Sequence, residues 1–183
     1  MNNTDKIKFT FLGTGAADYP ADFESAKNKF SKDIRRASCV LINNQFLIDC
    51  GPHVFDSMDI AGYSPSEITD IFLTHTHNDH YDVNNIKKIA RKANKAVKLW
   101  CRRDAVMDLP DNIEIVRMTQ GKEYTFRENF TVTATDANHD ENSFPQHYIF
   151  NFFEKKILYA CDGAWFLTLI LSLKGSESRY DSF

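Results

Sequence analysis

Between Thr74 and His80 the chain reads Thr-His-Thr-His-Asn-Asp-His, which puts three of its six histidines and the carboxylate of Asp79 into six residues. An apolar run, DIFLT at 70–74, comes directly before the cluster. Directly after it, Val83, Ile86, Ile89 and Ala90 recur at helical spacing. The fold must therefore hold this cluster on a loop between a strand and a helix. There His75 and His77 point to one side, while Asp79 and His80, at the helix entrance, face a second position nearby. Neutral imidazoles with carboxylates suit zinc, iron or manganese. Chance placement of HxHxDH in a chain of this composition is rare, so the cluster reads as a metal centre rather than a polar loop.

The flanking pattern supplies the scaffold. Apolar, β-branched and aromatic runs predict strands at 7–12, 39–42, 46–48, 97–101, 113–118, 130–135, 148–153 and 157–161, with Asn43-Asn44 as a hairpin turn. Gly51-Pro52 opens a helix through Ile60. The helix after the histidine cluster carries Lys87, Lys88, Arg91 and Lys92 opposite its apolar stripe. Strands outnumber helices, and no linker rich in Gly, Pro or Ser divides the chain. The reading is one α/β domain over residues 1–183 with an antiparallel or mixed sheet. Residues 16–36 have no clear periodicity, as expected of a functional or mobile loop.

Composition narrows the function classes. With 183 residues, 43% of them apolar, the chain can bury a core without disulfides. A net charge of −3 does not mark a wholesale nucleic-acid or membrane-surface binder. The four cysteines form no CxxC pair, and no secretory pattern opens the sequence, which points to the cytoplasm. The longest apolar stretch, 164–173, has ten residues. A bilayer span needs about 20, so a buried helix or an interface is expected there and no membrane crossing. His53 and His147 read as structural histidines, and Gly13-Thr14-Gly15 as a tight turn rather than a phosphate loop. The basic residues at 27–36 and along the second helix read as a solvated face or as phosphate capture. Arg36 is the substrate-binding candidate among them.

Taken alone, His139 in NHDEN and Asp162 in CDG read as loop and turn residues. Five segments in order change that reading: FLGTGAAD (11–18), FLIDCG (46–51), THTHNDH (74–80), Asn138-His139-Asp140 and YACDGAW (159–165). Together they resemble the metallo-β-lactamase-fold hydrolases, and most closely the branch of cyclic-phosphate phosphodiesterases and ribonuclease Z. The resemblance implies an αββα sandwich with mixed β-sheets. It further implies one metal on His75, His77 and His139 and a second on Asp79 and His80, with Asp162 bridging both and Asp49 beneath them. Two divalent transition metals are implied, zinc first, with manganese or iron as alternatives. Asp79 and Asp162 would be the catalytic acids, orienting a metal-bound hydroxide toward a small phosphodiester. The alternatives are a ribonuclease Z-like enzyme acting on nucleic acid, or a catalytically impaired metal-binding protein. No insertion of the size of a tRNA-gripping arm is visible, which disfavours the former; lack of a secretory leader disfavours β-lactam hydrolysis. The family's C-terminal histidine has no counterpart after His147. The C-terminal half is accordingly expected to be incomplete, exposing apolar surface that favours a homo-oligomer.

Overall fold

The computed structural model describes residues 6–17, 35–110, 112–153 and 155–163. Strands β1 (Phe9–Gly13), β2 (Cys39–Ile42), β3 (Phe46–Ile48), β4 (Asp70–Phe72), β5 (Val97–Arg102) and β6 (Ile113–Met118) lie side by side in chain order. The pairs β1–β2 and β2–β3 are antiparallel, whereas β3 through β6 run parallel. A second, antiparallel sheet is built from β7 (Glu123–Arg127), β8 (Phe130–Asp136), β9 (Gln146–Phe152) and β10 (Lys155–Tyr159), in the order β10-β9-β8-β7. Helices α1 (Val54–Ile60) and α2 (Val83–Lys92) follow β3 and β4.

Side-chain alternation divides the first sheet between two cores. Val40, Ile42, Phe46, Ile48, Phe72 and Trp100 pack against Val132, Ala134, Tyr148, Phe150 and Phe152 of the second sheet. On the opposite face, Cys39, Leu41, Leu47, Ile71 and Leu99 meet Val54 and Met58 of α1 and Ile86 and Ile89 of α2. Burial on both faces explains why β2, β3 and β4 read as unbroken apolar runs. Phe72 is the centre of the inter-sheet core, with the rings of Trp100, Phe126, Tyr148 and Phe150 at 5.1–5.6 Å. The described layers are thus helices, mixed sheet and antiparallel sheet.

Local chemistry sets the connections. Asn43 and Asn44 both adopt positive φ, 47° and 62°, as a two-residue turn between twisted strands requires. Asp82 caps α2, its Oδ1 accepting from the N–H groups of Asn84 and Asn85 at 2.8 and 3.0 Å. Helix α1 begins at Val54, two residues after the Gly-Pro expected to open it. Strand β7 is absent from the sequence expectation: EYTFR alternates polar and aromatic residues, but only Tyr124 and Phe126 are apolar and only Phe126 is buried. Of the segment 16–36, residues 18–34 lie outside the described residues. So do the apolar run 164–173 and the C-terminal end, on which the expected shortening falls.

Candidate metal centre

The histidine loop leaves β4 at the carboxyl edge of the parallel strands, the edge at which open α/β sheets bind ligands. Backbone hydrogen bonds pin it from both sheets. Thr76 N–H donates to Ser143 O and Gln146 N–H to Thr74 O, both at 2.8 Å, and Cys50 N–H donates to His80 O at 2.8 Å. The loop lies so close to the exit of β3 that a Cβ at Gly51 would stand 1.9 Å from the carbonyl oxygen of Asp79. Only glycine allows that approach.

Asp49, the residue after β3, has φ 63° and is fully buried. Aspartate tolerates this left-handed conformation better than most residues, and it turns the carboxylate under the loop. The carboxylate accepts from Thr74 N–H at 2.7 Å, from Thr74 Oγ1 at 2.8 and 2.9 Å, and from His80 Nδ1 at 2.8 Å. Because the Thr74 hydroxyl is spent on Asp49, the contact at 3.0 Å between its oxygen and His75 Nδ1 has the imidazole as donor. His77 is held in the same way, its Nε2 at 3.3 Å from Asp140 Oδ2.

Each of these rings therefore has one nitrogen anchored and the other turned inward. His75 Nε2 is buried with no hydrogen-bond partner. His77 Nδ1 lies 3.1 Å from His139 Nε2, and His80 Nε2 is 3.2 Å from Asp79 Oδ2 and 3.7 Å from Asp162 Oδ2. Two ligand sets result, His75–His77–His139 and His75–His80–Asp162, each with its donor atoms within 4.8 Å of one another. They share His75. A third set, Asp49–His80–Cys161, lies on the Nδ1 side of His80, with Cys161 Sγ at 3.7 Å. Asp79, His75 and His80 are buried, while the side chains of His77 and Asp162 are 37% and 45% exposed, so the centre opens to solvent on one side.

The electrostatics match a cation site. Burial, then the neighbouring His80, His77 and His139 rings, pull His75 down to about 3, so it is a neutral imidazole at pH 7. Burial also acts to lower His80, but the hydrogen bond and charge of Asp49 outweigh it and hold the residue at about 11. Burial raises Asp49 in turn, against the lowering by His80 and Thr74. Without a metal the pair is an imidazolium and a carboxylate: Asp49 holds the Nδ1 proton, and Nε2, which faces the cluster, carries the proton that a bound metal would displace. Metal-binding histidines characteristically give their second nitrogen to a carboxylate or hydroxyl in this way. The orphaned Nε2 of His75 and the mixed imidazole–carboxylate donors fit a divalent transition metal.

Of the residues singled out in the sequence, His75, His77, Asp79, His80, His139, Asp162 and Asp49 come together here. His139 is delivered by the loop between β8 and β9, and Asp162 follows β10. Arg36 is 2% exposed, and the charge of Asp56 and the imidazole of His53 lie in its surroundings. His53 accepts the Ala37 N–H on Nδ1 at 3.0 Å. His147, also buried, meets the backbone of Asp162. Sequence reasoning gives no role to Thr74, Asp140 or Cys161; each is the chain neighbour of a ligand candidate, and that adjacency is the signal that could have found them.

Residues 44–172 match the family model described as the beta-lactamase superfamily domain. The chain belongs to that superfamily. Its relatives include a protein named ribonuclease Z from Pyrococcus abyssi, 30% identical over 130 residues, which are 70% of this chain and 37% of that one. Across the matched ribonuclease Z sequences the chain spans only 21–37% of their length. Among solved structures, the metallo-beta-lactamase fold protein YhfI from Bacillus subtilis aligns with a TM-score of 0.71 at 16% identity, covering 91% of this chain and 68% of its own. The short form of human tRNase Z aligns with a TM-score of 0.62 at 20% identity, covering 90% and 73%. These likenesses show the fold: the α/β sandwich of a mixed and an antiparallel sheet is that of the metallo-β-lactamase proteins.

Proposed function

We propose that this member of the beta-lactamase superfamily is a metal-dependent phosphodiesterase whose substrate is RNA. The observation that carries the reading is the convergence of His75, His77 and His139 beside His80, Asp79 and Asp162, with the rings of His75, His77 and His80 each anchored by an oxygen on the outer nitrogen. His75, His77 and His139 would hold one divalent transition metal, zinc first by donor chemistry, and His80, Asp79 and Asp162 a second. Bound there, the metals would supply Lewis acidity toward a phosphoryl oxygen and lower the pKa of water to about 7.

The protein's own groups supply positioning. Asp49, Thr74 and Asp140 fix the imidazoles, so the inward nitrogens converge before any substrate arrives. Asp79 and Asp162 accept hydrogen bonds from the attacking water and orient it. The exposed side, at His77 and Asp162, admits the phosphodiester, while the buried side keeps bulk water from the anchored nitrogens. The relatives named ribonuclease Z favour RNA over the small phosphodiester expected from the sequence. The cationic side of α2 supports the same choice. No described helix is long and apolar enough to cross a membrane. The four free cysteines, three of them buried, support a reducing compartment, taken here as the cytoplasm.

The test is hydrolysis by the full chain of two substrates, bis(4-nitrophenyl) phosphate and a tRNA with a 3′ extension. Metal-dependent cleavage of both, lost with chelator and restored by zinc, is the expected result. Cleavage of the aryl diester alone would return the small-phosphodiester reading. No metal-dependent cleavage of either would leave a metal-binding protein without hydrolase activity.

A further inference from the structure

The ligand candidates of the metal centre are not all held alike. The rings of His75, His77 and His80 each give a nitrogen to an oxygen of Thr74, Asp140 or Asp49. Asp162 has no comparable anchor. Its side chain is 45% exposed, and among the described residues its carboxylate accepts only from the Cys161 thiol, at 3.8 Å. It nevertheless stands with Oδ2 at 3.9 Å from His75 Nε2 and 3.7 Å from His80 Nε2. An aspartate side chain is short, so the place of this carboxylate is set by the backbone that carries it.

His147 meets that backbone. On β9, Tyr148, Phe150 and Phe152 face the first sheet, and strand alternation therefore turns the His147 ring to the outer face of the second sheet. The outer face of an antiparallel sheet is commonly solvated, yet His147 is 1% exposed. Gly163 lies over it: a Cβ at Gly163 would stand 3.0 Å from Nε2 and 3.2 Å from Cε1 of the imidazole. The same Cβ would stand 3.6 Å from the carbonyl oxygen of Asn138, the residue before His139. Two connections that carry ligands, the β8–β9 loop and the turn after β10, thus meet at this ring. Burial lowers the His147 pKa, and the backbone of Asp162 acts against it, which is the effect of a carbonyl facing a ring N–H.

We infer that His147 is a positioning residue for Asp162: its imidazole seats Gly163 and the Asp162 backbone, and so sets where the Asp162 carboxylate stands at the metal centre. The inference rests on the reading above, in which Asp162 holds a metal beside Asp79 and His80. It gives a part in the centre to a histidine that belongs to none of the ligand sets.

The test is calorimetric titration of the metal-free full chain with zinc. His147→Leu fills the space but has no N–H. It should weaken the step assigned to Asp79, His80 and Asp162 by about tenfold and leave the step assigned to His75, His77 and His139 unchanged. His147→Asn or His147→Gln, whose amide N–H groups stand near the places of Nδ1 and Nε2, should restore most of the loss, whereas a ring that only fills space is replaced as well by leucine. Gly163→Val, at an exposed position, should weaken the same step and decides the matter if His147→Leu does not fold. Equal weakening of both steps, no change in His147→Leu or in Gly163→Val, or no recovery with either amide would overturn the inference. Asp162→Ala is titrated alongside. If it keeps the step, the ligand assignment of Asp162 fails and the inference with it. If it loses the step while His147→Leu keeps it at full strength, the inference alone fails.

Discussion

Asp49→Asn keeps the shape of the side chain and replaces one acceptor oxygen by an NH2 donor. The structure dictates which one. Oδ1 receives the Thr74 N–H at 2.7 Å, and a donor there would face a donor, so the NH2 takes the Oδ2 position. That position faces His80 Nδ1 at 2.8 Å. His80 must then accept on Nδ1 and carry its proton on Nε2, the nitrogen beside Asp79 and Asp162. A protonated Nε2 cannot ligate a metal. Changing an outer partner of a metal-binding histidine costs about 10–100-fold in metal affinity, or about 1.4–2.8 kcal/mol. Full burial of Asp49 and inversion of the tautomer put this variant at the upper end. Calorimetric titration of the metal-free protein with zinc is the assay. The step assigned to His80 should weaken by about 100-fold, while the step assigned to His75, His77 and His139 keeps its affinity. Equal weakening of both steps, or no change in either, would refute the tautomer assignment.

Three further outcomes follow from the geometry. Gly51→Ala puts a methyl group 1.9 Å from the Asp79 carbonyl oxygen, and urea unfolding should show a loss of about 1–3 kcal/mol as the histidine loop is displaced. Phe72→Ala removes the ring that four other aromatic residues surround and should cost about 3–5 kcal/mol in the same assay. Replacing Lys87, Lys88, Arg91 and Lys92 of α2 together by Gln should flatten the salt dependence of RNA binding, with a slope lower by about 0.7 for each phosphate that the helix no longer neutralises. An unchanged slope, measured by fluorescence anisotropy from low to physiological salt, would mean that this face of the helix is only solvated.

The part of the centre that lies on consecutive residues is legible in the sequence, because imidazoles crowded after an apolar strand have few other uses. His139 and Asp162 are not legible from their own surroundings. Each sits in a turn-like segment, and only the packing of the second sheet on the first carries them to the cluster. The family resemblance supplies what local chemistry lacks. The role of Asp49 depends on a φ of 63°, and that of Gly51 on a contact with residue 79; neither is written in a local pattern. Strands with apolar character on both faces, such as β2 and β4, stand out as unbroken runs. Strand β7 escapes because its alternation, Tyr124 and Phe126 between Glu123, Thr125 and Arg127, has only two apolar members over five residues. Sheet order and the change from antiparallel to parallel pairing at β3 emerge only from long-range contacts.

The central claim is that the cluster holds two metals, one on His75, His77 and His139 and one on Asp79, His80 and Asp162. Elemental analysis of the full chain after equilibration with zinc and removal of free metal tests it most directly, with His139→Ala measured beside the wild type. About two zinc ions are expected per wild-type chain and about one in the variant, where Asp79, His80 and Asp162 remain. A wild-type chain that retains no zinc, or a variant that retains as much as the wild type, would contradict the claim.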